Sequence, residues 1–79
     1  MIHLGDRLPP HSKPVGLEAR GDGWSLSIWE RRGRLYARLV PEEGSPYVLV
    51  MKVRASDPEE ALGLALEELG LTPEEVVRC

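Results

Sequence analysis

The 79-residue chain contains no Asn, no Gln and no Phe, and it has one cysteine, Cys79 at its last position. A lone cysteine excludes an internal disulfide framework or a multi-cysteine zinc site, and leaves an idle thiol as the simplest reading. No apolar run is long enough to cross a bilayer, and the first residues lack the apolar segment of a signal peptide. A soluble, cytoplasmic protein without membrane contact is the expectation. No Gly-rich phosphate loop of the Walker or dinucleotide type is present, and there is no G-x-S-x-G elbow. His3 and His11 stand eight residues apart with no third ligand nearby. Catalysis, a bound metal and a cofactor are therefore not expected. The missing amides, together with the many Arg, Glu and Pro residues, suit a thermophilic source.

What is there begins with residues 56–70, SDPEEALGLALEELG, which read as one amphipathic helix with both ends written in. Asp57 can cap the first turn, Pro58 suits the first helical position, and Glu60 completes a D-x-x-E capping box. Ala61, Leu62, Ala65, Leu66 and Leu69 form one apolar stripe. Gly70 is the expected left-handed stop, with Leu71 set for the apolar contact that often follows. Gly63 costs such a helix about 1 kcal/mol relative to Ala; it marks either a close approach to a strand or a tolerated weakness. Thr72-Pro73-Glu74-Glu75 repeats the start signal, which predicts a short second helix over 73–78.

Ahead of the helix the period changes from helical to alternating. Residues 15–20 alternate apolar and polar as an edge strand would, and Gly21-Asp22-Gly23 signals a turn. Residues 24–31 and 34–40 form the clearest pair. With Arg32-Gly33 as a two-residue loop, Arg31 faces Arg34, Trp29 faces Tyr36, Ser27 faces Arg38, Ile28 faces Ala37, and Leu26 faces Leu39. A three-residue loop with Gly33 at a bulge would shift that register. Residues 41–46 read as a loop, and 47–55 as a long strand apolar on both faces for its first half. Such a strand is either central or covered by another copy. The expected architecture is α+β: an antiparallel meander sheet of three or four strands, one amphipathic helix on one face, and a short C-terminal helix. Residues 1–14, with three prolines and no period, read as an extended N-terminal arm, and 15–79 as a single domain. A 42% hydrophobic content supports one modest core, at a size where oligomerisation often helps.

The net charge of −3 hides an asymmetry. Residues 1–41 hold seven Lys and Arg against four acids, whereas 42–79 hold three against nine. One part is basic and the helical part is acidic.

On that register, the sheet face away from the helix collects Trp29, Arg31, Arg34, Tyr36, Arg38, Lys52 and Arg54. Guanidinium groups beside aromatic rings suit two kinds of contact. One is a protein interface, where Trp, Tyr and Arg are enriched, including self-association into a homo-oligomer. The other is nucleic acid, with charges on phosphates and rings on bases. The plainest reading is a solvated sheet face, covered by cross-strand aromatic pairing and Arg stems.

The hairpin IWERRGRLYARLVPE (residues 28–42) followed by SDPEEALGLALEEL (residues 56–69) resembles the HicB-like family of small antitoxin-type proteins. The second segment is similar to that family's T-x-E-E-A-L stretch, and the resemblance covers about half of the chain. It departs after Pro41-Glu42, where a long apolar strand replaces the family's Gly-Cys/Ser bend and short strand. No helix-turn-helix or ribbon module is expected after Cys79. The resemblance implies a partner-binding, oligomeric module without a separate DNA-binding domain. The leading expectation is a non-enzymatic interaction module that self-associates or binds a protein partner through the exposed sheet face. Nucleic-acid binding through the same face is the alternative.

Overall fold

The computed structural model describes the backbone at residues 2–5 and whole residues at 7–41 and 48–78. In chain order the elements are β1 (Ile2–Gly5), β2 (Lys13–Gly21), β3 (Trp24–Arg31), β4 (Arg34–Pro41), β5 (Leu49–Val53), α1 (Pro58–Leu69) and β6 (Glu75–Arg78). The six strands form one sheet in the order β1-β5-β4-β3-β2-β6, and every neighbouring pair is antiparallel. The α+β class stands, with a four-strand meander, β2 to β5, at its centre. Each side of that meander carries one further strand.

The hairpin register is the expected one. Arg31 pairs with Arg34, Trp29 with Tyr36, Ser27 with Arg38, Ile28 with Ala37, and Leu26 with Leu39. Arg32 and Gly33 both adopt positive φ, 52° and 77°, as a two-residue turn matched to the sheet twist demands. The alternation then sends Leu26, Ile28, Leu35, Ala37 and Val53 into the core beneath α1, where Ala61, Leu62 and Ala65 meet them.

α1 follows its sequence signals closely. An Asp57 carboxylate oxygen accepts the Glu60 N–H at 2.8 Å, and Glu60 reaches back to accept the Ser56 N–H at 2.8 Å. At the other end Gly70 sits at φ 67°, ψ 30°, and the Leu71 N–H donates to the Leu66 carbonyl at 2.9 Å. That bond closes a Schellman motif. An added Cβ at Gly63 would meet nothing within 4 Å, so the close-approach reading of this glycine falls.

Three expectations are corrected. The second helix over 73–78 is instead the strand β6, paired with β2 from Arg20↔Glu75 to Leu17↔Arg78. A six-residue helix has a costly nucleus and little length to offset it. Val76 and Val77 are β-branched, and the outer edge of β2 otherwise leaves its backbone groups unpaired. β2 is accordingly no edge strand. The sheet has six strands rather than three or four, because residues 2–5 of the expected arm pair with β5 and the arm's last two residues open β2. β5 is a central strand, flanked by β4 and β1. The loop at 42–46, the strand start at Tyr47, the side chains of His3, Ile2 and Leu4, and the Cys79 thiol lie outside the described residues.

The face away from α1 is not open. Tyr36 and Val50 point there, opposite Trp29 and Arg38, yet they are 4% and 0% exposed. The link from β1 to β2 must pass β5, β4 and β3, and it includes the half-buried Leu8 and Pro9.

Candidate polyanion interface at the hairpin end of the sheet

The tight turn between β3 and β4 places Arg31 and Arg34 directly opposite each other. Like charges in that position destabilise a ladder. Leu35 pairs with Val53, so Arg54, the next residue along, follows β5 at the same end of the sheet. β2 brings Lys13 opposite Glu30, and the preceding turn adds His11, where the Ser12 hydroxyl donates to the Pro9 carbonyl at 2.6 Å. Lys13, Arg31, Arg32, Arg34 and Arg54 thus gather at one end of a 31 Å molecule. Glu30 is the acid placed among them on the sheet, and one of its carboxylate oxygens already accepts the Gly33 N–H at 2.8 Å.

The other end is acidic. Asp22 lies in the β2–β3 turn, Glu67 and Glu68 in the last turns of α1, and Glu74 and Glu75 where β6 begins. The ion pairs among the described residues are Arg20 with Glu18 at 2.9 Å, toward the far end, and Arg78 with Glu59 at 2.8 Å, at the first turn of α1. The Arg78 guanidinium, through its hydrogen bonds and then its charge, holds the Glu59 carboxyl below the usual carboxylate range. The sequence asymmetry becomes a polarity of the sheet, while α1, which starts at the hairpin end, brings Asp57, Glu59 and Glu60 to that side. None of the five hairpin-end cations is paired with a described acid.

The seven residues expected on one face divide into two groups. Arg31, Arg34 and Arg54 belong to the hairpin end. Trp29, Tyr36 and Lys52 lie in one cross-strand row, and Arg38 lies in the next row between Ser27 and Val50. Trp29 is half-buried, and its indole N–H donates to the Ser27 hydroxyl at 2.9 Å. Tyr36 is buried and cannot stack on a base or seat a partner, which corrects the expectation of an exposed aromatic pair.

Three residues of the hairpin end were not singled out from the sequence. Lys13 reaches it because two extra residues of β2 are accommodated between Pro14↔Trp29 and Glu18↔Ser27, an irregularity with no clear sequence signal beyond Gly16. Arg32 read only as half of a two-residue loop. His11 read only as one of two histidines of the arm without a third metal ligand. Together His11, Lys13, Glu30, Arg31 and Arg32 line a recess of about 270 Å³. No protein-family model, no curated protein and no solved structure matches this chain.

Proposed function

We propose that the protein is a small non-enzymatic binding module that takes a polyanion, nucleic acid, at the hairpin end of its sheet. The observation that carries this reading is the gathering of Lys13, Arg31, Arg32, Arg34 and Arg54 at one end, with no described acid paired to any of them. A surface of that kind neutralises successive phosphates and releases their counterions. Half-buried Trp29 and Lys52 extend it along the sheet. The buried Tyr36 and Val50 weigh against the covered face as the main contact. A fluorescence-anisotropy titration with single-stranded DNA and RNA at several salt concentrations tests the reading. If about four phosphates are neutralised, log affinity falls against log salt with a slope of about 3. Affinity independent of salt, or no binding at low salt, would remove it.

Self-association is the second reading, and a different observation favours it. β6 is an outer strand whose other edge has no neighbour among the described residues, and its Val76 is 40% exposed. Edge strands of this kind pair with further strands. A homo-oligomeric, partner-binding role is also what the HicB-like resemblance implies. Sedimentation equilibrium of wild type beside Val76→Lys separates the two readings. A dimer split by the substitution supports assembly through β6, and a monomer leaves the cationic end as the sole candidate.

No helix among the described residues is long and apolar enough to cross a membrane.

A further inference from the structure

Three irregularities of the described residues meet at one place. His11 and Arg32 are the two non-glycine residues with positive φ, at 68° and 52°, and both line the recess. The third is Arg31, also in its lining. Among the described residues, the Nε of Arg31 is the one buried side-chain nitrogen or oxygen without a hydrogen-bond partner. Backbone in sparsely populated conformations and a buried donor left unsatisfied each carry a cost, and such costs concentrate where a ligand is to be held. A two-residue turn accepts Gly, Asn or Asp far more readily than Arg at its first position. What Arg contributes there is a guanidinium at the mouth of the recess.

The charges define the ligand. Leaving His11 aside, Lys13, Arg31 and Arg32 against Glu30 give the lining a formal charge of +2. Glu30 is held at the turn by the Gly33 N–H, which turns one of its oxygens toward the backbone. A phosphate monoester carries about −1.5 to −2 at neutral pH and offers three acceptor oxygens. A phosphodiester carries only one charge. The volume of about 270 Å³ falls just below the range of about 300–1,000 Å³ that holds a whole small-molecule ligand. It suits a phosphate group rather than a complete nucleotide.

We infer that the recess between the Pro9–Ser12 turn and the β3–β4 turn binds a dianionic phosphate monoester, the terminal phosphate of a nucleic-acid strand. Lys13, Arg31 and Arg32 surround the phosphate, and the Nε–H of Arg31, closed to solvent as the side chain stands, reaches a phosphate oxygen as the guanidinium turns toward it. This assignment rests on the reading of the hairpin end as a polyanion surface, and the two fail separately.

The test compares one short single-stranded oligonucleotide with a 5′-phosphate and with a 5′-hydroxyl, against wild type, Arg31→Lys and Arg54→Ala. Wild type should bind the phosphorylated strand about tenfold more tightly, the scale of one or two charge-assisted hydrogen bonds. Arg31→Lys keeps the charge but lacks Nε, and should close that gap. Arg54→Ala, outside the recess, should weaken both strands and leave the gap intact. Equal affinity of wild type for both strands would overturn the pocket and leave the polyanion surface standing. Failure to bind either strand would remove the surface, and the pocket would then stand or fall on inorganic phosphate alone. In that titration, followed by NMR, a saturable shift of the Arg31 Nε–H resonance sustains it and an unmoved resonance overturns it.

Discussion

α1 and the β3–β4 turn are built on opposite principles. In α1 every local preference agrees with the fold. Asp57 caps, Glu60 reciprocates, Gly70 terminates in the left-handed conformation it tolerates best, and the apolar stripe meets the sheet. At the β3–β4 turn local preferences are overruled. An Arg takes a positive φ, two arginines face each other across the ladder, and a buried guanidinium nitrogen lacks a partner. Proteins in which most levels agree commonly break a rule where something is bound. The helix is therefore read as scaffold and the turn as the working surface.

The largest expected effect tests the scaffold. Leu62 is 5% exposed in the core beneath α1, so Leu62→Ala should cost about 2–5 kcal/mol. Urea denaturation at neutral pH measures it, and a loss below 1 kcal/mol would mean that α1 is not held by packing. Asp57→Ala should cost about 1 kcal/mol through the lost cap. Gly63→Ala, where the added methyl meets open space, should return about 1 kcal/mol. Gly63→Ala should leave affinity for an oligonucleotide unchanged, and Asp57→Ala, which removes a negative charge near Arg54, should not lower it. The sharper half of the comparison is Arg32→Asn, which relieves the positive φ and should stabilise the fold by up to about 1 kcal/mol. The same substitution should weaken oligonucleotide binding severalfold. A variant that gains stability and keeps full affinity would show the turn to be a mere imperfection.

The same contrast explains what could be read from the residues alone. Signals confined to a few neighbours were legible: the cap at Asp57, the stop at Gly70, the period of β3 and β4, and the register across Arg32-Gly33. Contacts set by distant partners were not. A start signal at Thr72-Pro73-Glu74-Glu75 lost to the open edge of β2, some 55 residues earlier in the chain. Residues 2–5 have no period of their own and are strands only because β5 has an edge to pair. The candidate surface fared likewise. Arg31, Arg34 and Arg54 follow from the hairpin register, whereas Lys13 and His11 arrive through a bulge and a left-handed turn. Tyr36 alternates onto the second face as expected, but alternation says nothing about what then covers that face.

The smallest expected effect concerns the only described ion pair that joins scaffold to edge. Arg78 of β6 donates to both Glu59 carboxylate oxygens, at 2.9 and 2.8 Å, across nineteen residues. The pair pins an outer strand to the first turn of α1, where a negative side chain is also favoured by the helix dipole. Because Glu59 titrates below its ordinary value in the folded chain, its contribution is present above the unfolded value. It is lost as the pH falls through the folded one. The raised Arg78 value lies too far into the alkaline range to matter in the same experiment. Both groups are exposed, so the contribution is small and screened by salt. Wild type should therefore exceed Glu59→Gln slightly in urea stability at neutral pH and low salt. The two should converge when the solution is acidified below the carboxylate range or when the salt is raised to about 1 M, where screening extends over only about 3 Å. Amide hydrogen exchange localises the effect, since faster exchange at Val76 and Val77 in Glu59→Gln is what loosening of β6 requires. Unchanged exchange there would mean that the backbone ladder to β2, rather than the ion pair, holds the outer strand in place.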